Sequence, residues 1–331
     1  EEKRSGDIHL QSTHKSVWIG VLPPGMTSPF HTQIAWGAVS AGKTYGYHVV
    51  VRSPVNEIDV KKQVALMGQM IREHLSAICI NPMSDTAIKA DISAANRSGI
   101  PIFMYNGLTP SVAGHITEYI GYNQRRAGYL LGQYANKLLH GHGDVLVLDG
   151  IPSYYTTERV NGFKQALLHY PGIHIVAEAA ADWLRDVAVR VTTQALQDHP
   201  QIRLVFGASD EMAIGASIAA RDEGKKVYTL GIDGNPVTLY EIRQGDVTAT
   251  VGTFPANMGA TLVRQIHAFM AGEKIPQYLV TPAVLVTSAN VLAYESGKLW
   301  RAPQSGLPEA DANSTKSAQT GGFMREGGGS P

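Results

Sequence analysis

Residues 204–234, LVFGASDEMAIGASIAARDEGKKVYTLGIDG, constrain the fold of this chain more than any other stretch. Leu204-Val205-Phe206 is a short apolar run that stops at Gly207, and Ser209-Asp210 then opens an alanine-rich helical segment. That segment ends at Gly224-Lys225, and a second apolar run from Val227 to Ile232 closes on Asp233-Gly234. Two apolar runs joined by a helix read as one β-α-β unit, whose crossover obliges the strands to be parallel. Polar residues stand just past the carboxyl ends of both strands, the edge at which open α/β sheets hold their ligands.

The same alternation continues along the chain. Strands are expected at 17–22, 47–51, 77–80, 101–104 and 116–120, with helices at 30–43, 59–73 and 85–97 between them. The series then restarts with helix 124–139, strand 144–148, helix 157–169, strand 173–177 and helix 184–198. After the opening unit come helix 236–243, strand 247–252, helix 255–271 and an extended stretch at 279–286. This predicts an α/β protein with two Rossmann-like lobes, each a parallel sheet flanked by helices. At 331 residues the chain is too long for one ordinary core. Residues 1–15 lack periodicity and read as a flexible arm, and 299–331 read as a disordered tail or linker, dominated from Ala302 by Pro, Gly, Ser, Thr and Ala.

Composition excludes several classes. Twenty-eight basic side chains balance 28 acidic ones, so the basic excess of a nucleic-acid binder is missing. No apolar run approaches the roughly 20 residues that span a bilayer. Cys79 stands alone in the apolar run 77–80; it can form no internal disulfide and reads as a small buried hydrophobe. The chain opens EEKR without a signal peptide, which fits a cytoplasmic protein or a mature form whose leader has been removed.

Two matches argue for a nucleotidase. Gly37-Ala-Val-Ser-Ala-Gly42-Lys43-Thr44 fits the P-loop pattern, and Val145-Leu146-Val147-Leu148-Asp149 resembles a strand that supplies a magnesium-binding aspartate. A phosphate cradle, however, needs a strand before the glycine loop and a helix after it. Here Ile34, Ala38, Ala41 and Tyr45 keep helical spacing through the match, and a strand follows it. The twelve histidines form no metal-ligand pattern, and neither Gly-x-Ser-x-Gly nor Gly-x-Gly-x-x-Gly occurs. No cofactor is expected.

Together the strand-end markers resemble the sugar-binding members of the type I periplasmic binding protein family, the ribose-binding group. They are Ser28-Pro29-Phe30, Ile80-Asn81-Pro82, Glu158-Arg159-Val-Asn-Gly-Phe163, Ala181-Asp182-Trp183, Ser209-Asp210-Glu211-Met212-Ala213 and Gly231-Ile-Asp233-Gly234. The resemblance covers about residues 16–290 and extends to the effector domains of LacI-type repressors. The fifteen residues before the first strand are too few for a DNA-binding headpiece. The resemblance implies two lobes joined by a three-segment hinge and closing on a ligand between them. The first lobe would be 16–121 plus 256–283, and the second 122–255 plus 284–298.

By the same resemblance, Phe30 and Trp183 match the aromatic positions that sandwich the sugar ring, and Asn81 matches a polar contact of the first lobe. Ser209 and Asp233 match hydrogen-bonding positions of the second lobe, and Thr253 falls where ribose binders carry a glutamine. The chain departs from ribose binders in having Tyr105-Asn106 for Asp-Arg, Thr157 for an arginine and His31 for a second phenylalanine. Arg159 reads equally as a ligand contact or as a structural member of the Arg-x-x-Gly-Phe run. Ser28 and His31 are weaker candidates, as is Thr157. Bland readings exist for the rest: Asn81 as a turn residue, Phe30 as core, Asp182 and Asp210 as helix N-caps. The expected protein is a monomeric, periplasmic solute-binding protein that captures a small neutral sugar or polyol for an ABC importer permease, without catalysis. A sensory binding protein docking on a histidine kinase ectodomain is the alternative, and a P-loop nucleotidase a remote one.

Overall fold

The computed structural model describes residues 16–108 and 114–307. The arm at 1–15 and the tail from 308 onward lie outside the described residues.

The first lobe opens with β1 (Trp18–Leu22), α1 (Pro29–Tyr45), β2 (His48–Val51), α2 (Val60–Arg72), β3 (Ala77–Ile80), α3 (Lys89–Arg97), β4 (Ile102–Tyr105) and β5 (Glu118–Gly121). Its strands are short apolar runs; β3 and β4 are buried at every residue, as strands covered by helices on both faces must be. The second lobe continues with α4 (Gln124–Leu139), β6 (His142–Asp149), α5 (Tyr154–Leu167), β7 (Gly172–Ala180), α6 (Arg185–Asp198), β8 (Ile202–Gly207), α7 (Asp210–Asp222), β9 (Tyr228–Asp233), α8 (Pro236–Gln244) and β10 (Ala249–Gly252). The chain then returns for α9 (Pro255–Met270) and β11 (Tyr278–Val280), crosses for β12 (Val284–Thr287) and α10 (Val291–Glu295), and comes back for β13 (Gln304–Ser305). The strand orders are β13-β11-β5-β4-β3-β1-β2 and β12-β10-β9-β8-β6-β7. All pairings are parallel except β10 with β12 and β11 with β13.

Serine or asparagine after a strand starts most of the helices that matter for the cleft. Ser28, Asn123, Ser153 and Ser209 each accept a backbone N–H of the helix they precede, and Pro29 occupies the first turn of α1. Two helix pairs, α1 with α9 and α4 with α5, cross so closely that only glycine fits. A Cβ on Gly37 would overlap the Ala256 carbonyl, and one on Gly128 would overlap the Arg159 carbonyl. Gly37 therefore serves helix packing. The whole P-loop match lies inside α1, Lys43 is exposed in its last turn, and Gly46 ends the helix at φ 69°.

Two expectations need correction. The extended stretch at 279–286 is two strands in different sheets: Thr281 N donates to Gly121 O in the first lobe, and Pro282 has no N–H to carry the ladder onward. Residues 299–307 do not read as tail in the structure, because Gln304 and Ser305 pair with Val280 and Leu279. The chain therefore passes between the sheets four times, at 121–124, 252–255, 280–284 and 295–304. A two-residue edge strand held by backbone bonds leaves no hydrophobic pattern to read.

Glu118, on the strand that leads into the first crossing, is fully buried. Gln265 Nε2 donates to its Oε1 at 2.7 Å, and Oε2 has no partner among the described residues. Burial pushes its carboxyl from the ordinary 4.5 up to about 7. Between these values the folded chain holds a proton that the unfolded chain has lost, so stability falls as pH rises through this window and levels off above it. Thermal unfolding from about pH 5 to about pH 8 should cost the native chain up to roughly 3 kcal/mol relative to Glu118→Gln. Parallel pH profiles for the two proteins would contradict this.

Candidate functional site

A cleft of about 620 Å³, its open mouth included, lies between the lobes at the carboxyl edges of both sheets. Ser28, Phe30 and His31, at the start of α1, line it from the first lobe, with Asn81 after β3 and Asn106 after β4. Asn106 turns out of its strand at φ 68°, a conformation that asparagine tolerates better than most side chains. Its Nδ2 donates to Asn81 Oδ1 at 3.0 Å, and Asn81 Nδ2 donates at 2.9 Å to the Tyr155 hydroxyl, which belongs to the second lobe. Asn81 is thus more than a turn residue. Gln63 fixes the same loop from behind, donating to Asn81 O and accepting from Met83 N at 2.9 Å each.

The second wall is built around Arg159, only 4% exposed. Its Nε donates to Gln124 Oε1 at 2.7 Å, one terminal nitrogen to Ala208 O at 2.7 Å, and the other to the Tyr122 hydroxyl at 2.6 Å. Its guanidinium stands 3.7 Å from Asp233 Oδ1 and 5.4 Å from the centre of the Trp183 ring. Gln124 also donates to Asn106 O, so one amide joins the arginine to the first lobe. Trp183 and Asp182 both hold positive φ, 65° and 54°, at a cost on the order of 1–3 kcal/mol each. Gly150 leaves the space the indole occupies; any Cβ there would overlap the ring.

Asp233 ends β9 at φ 154° and is 4% exposed. Thr253 supports it from behind, giving both its N–H and its hydroxyl to the Asp233 carbonyl. Burial pushes the Asp233 carboxyl well above the usual carboxylate range, and the neighbouring Asp210 charge adds to the effect while Arg159 opposes it. Asp210 is itself pushed up to about 6 by burial, although Thr250 Oγ1, Gly234 N and Asn235 N all donate to it. Asp210 was expected to cap α7. Ser209 does so instead, accepting from Met212 N, while Asp210 reaches back to hold the turn that presents Asp233. Asp182 is likewise no cap, since Leu184 occupies that position before α6.

Of the twelve candidate positions, nine meet at the cleft: Ser28, Phe30, His31, Asn81, Asn106, Arg159, Trp183, Ser209 and Asp233. Three do not line it. Tyr105 is still paired within β4 and points into the core, its hydroxyl without a partner among the described residues. Thr157 is exposed on α5, two residues from Arg159 and so on the opposite side of the helix. Thr253 acts behind Asp233. The cleft also holds Glu57 and Tyr155, which strand-end reasoning does not reach because one lies in a loop and the other inside a helix. Its three serines, Ser28, Ser153 and Ser209, each accept an N–H as helix caps and keep their O–H groups as donors.

The chain belongs to the periplasmic binding protein domain family, whose model matches residues 19–274. It is 27% identical over 274 residues to the ribose import binding protein of Bacillus subtilis, covering 82% of this chain and 88% of that one. The D-allose-binding periplasmic protein of Escherichia coli is 28% identical over 283 residues, 79% and 89% of the two chains. An ABC transporter periplasmic solute binding protein from Actinobacillus succinogenes, solved with bound D-allose, superposes with a TM-score of 0.80 at 27% identity, covering 84% of this chain and all of that one. Among the described residues no helix is long and apolar enough to cross a membrane.

Removing the arginine strands several buried acceptors and Asp233 at once. Arg159→Met should lower ligand-free stability by about 3–5 kcal/mol, and Arg159→Lys should restore little, since an ammonium cannot reproduce the planar fork. A melting temperature within a few degrees of the native chain for Arg159→Met would contradict this.

Proposed function

We propose that the chain captures a small sugar or polyol between its lobes and delivers it to the permease of an ABC importer in the periplasm. The observation that carries this reading is the pair of aromatic side chains, Phe30 from the first lobe and Trp183 from the second, lining one cleft with a buried Asp233–Arg159 pair. Aromatic faces suit the C–H surface of a sugar ring, and a carboxylate accepts from two hydroxyls at once. The names of its relatives, ribose import and D-allose binding, support the same ligand class. The work is closure. A ligand that touches both lobes stabilises their closed arrangement, and the membrane partner recognises that arrangement.

A thermal-shift screen against pentoses, hexoses and polyols tests the reading, because binding to the native state alone raises the melting temperature. A hit should weaken by roughly 2 kcal/mol, on the order of thirtyfold in Kd, in Trp183→Ala and in Asp233→Ala. Silence across all sugars and polyols would overturn the proposal, as would a sugar whose binding ignores both changes.

A further inference from the structure

The hydrogen-bonding capacity of the cleft is only partly spent within the protein. Part of its donor capacity is engaged by the protein: Arg159 gives one N–H each to Gln124, Ala208 and Tyr122, and Asn81 and Asn106 give one amide N–H each to Tyr155 and Asn81. The helix N-termini that open on the cleft are capped by Ser28, Ser153 and Ser209. Several of its acceptors have only long contacts or none among the described residues. Glu57, on the loop 52–59 between β2 and α2, is mostly buried, and its ion-pair contact is His31 Nε2 at a long 3.4 Å. His31 is 6% exposed, and its Nδ1 is buried with no partner among the described residues. With Nε2–H directed at Glu57, Nδ1 stands as a further acceptor. Asp233, on the opposite wall, meets Arg159 at 3.7 Å and accepts a long 3.4 Å bond from Asp210 N.

The charges lining the cleft are uneven. Glu211 is neutralised by Arg185, 3.0 Å away, which leaves Glu57 and Asp233 facing one guanidinium. The two carboxylates sense each other across the cleft, since the Glu57 charge helps to push the Asp233 carboxyl up. The positive ends of α1, α5 and α7 make this tolerable, and the first N–H of α7, that of Asp210, reaches Asp233 Oδ2 at 3.4 Å. Charge-assisted bonds are about twice as strong as neutral ones, and an ammonium brings three donors where a hydroxyl brings one.

We infer that Glu57 is a specificity-determining residue of the cleft, and that the preferred ligand is an amine-bearing sugar or polyol whose cationic nitrogen binds against Glu57. The inference rests on the sugar-capture reading and names the substrate class of the same site.

Isothermal titration of the purified chain with matched pairs tests it: glucose and glucosamine, galactose and galactosamine, sorbitol and 1-amino-1-deoxysorbitol. The amine should bind about tenfold or more tightly than its hydroxyl partner, and added salt should narrow the gap. Glu57→Gln, its fold checked by circular dichroism, should bring the members of a pair to within about twofold. Equal or tighter binding of the neutral partner by the native chain overturns the inference and leaves sugar capture standing. An amine preference that survives Glu57→Gln also overturns it. Should that variant not fold, the salt dependence of the native preference decides: a preference indifferent to salt is not made by a carboxylate. Binding of neither member of any pair overturns this inference, whereas the sugar reading falls only if the wider screen of pentoses, hexoses and polyols is silent as well.

Discussion

The buried guanidinium of Arg159 is the group on which the cleft depends. It is reached from the first crossing by Tyr122 and Gln124, from the end of β8 by the Ala208 carbonyl, and from the end of β9 by Asp233. An arginine carries its charge at every accessible pH and holds its donors in a rigid plane, so it fixes these elements relative to one another. Its desolvation is tolerable only because the acceptors are already in place. Through Gln124 the same network reaches Asn106, and through Asn106 it reaches Asn81 and back to Tyr155. The lobes are therefore joined at the floor of the cleft by side-chain hydrogen bonds as well as by the crossing strands.

Most of the fold is legible in the sequence because its physics is local. Strands buried on both faces must be continuous apolar runs, and the helices between them announce their starts with Ser28, Asn123, Ser153 and Ser209. The helix expected at 124–139 and the strand expected at 77–80 have those limits in the structure. The elements that the pattern does not announce have little hydrophobic signature: α10 is five residues long and β13 two. The P-loop match shows the converse, a pattern with a strong name and no structural context. Gly37 is there because the backbone of α9 passes against it.

The site was legible where topology alone decides, at the carboxyl ends of strands. It was less so where one residue decides which way a side chain faces. Tyr105 remains in the ladder and joins the core, whereas Asn106, one step on, leaves it at positive φ and enters the cleft. Thr157 and Arg159 divide in the same way between the two sides of α5. Glu57 and Tyr155 could not be found from strand ends at all. One comes from a loop between β2 and α2 and the other from the first turn of α5, and only the folded arrangement of the two lobes brings them together.

The central claim is that a sugar or polyol binds between Phe30 and Trp183 and touches both lobes. A crystal structure of the chain with the tightest-binding sugar or polyol tests this most directly. The account predicts the ligand ring between the two aromatic side chains, with its polar groups on Asp233 and Arg159 and at least one contact from Asn81 or Asn106. A ligand held by one lobe alone, or bound in the groove beside Arg203 and Arg221 at the other edge of the second sheet, would contradict it.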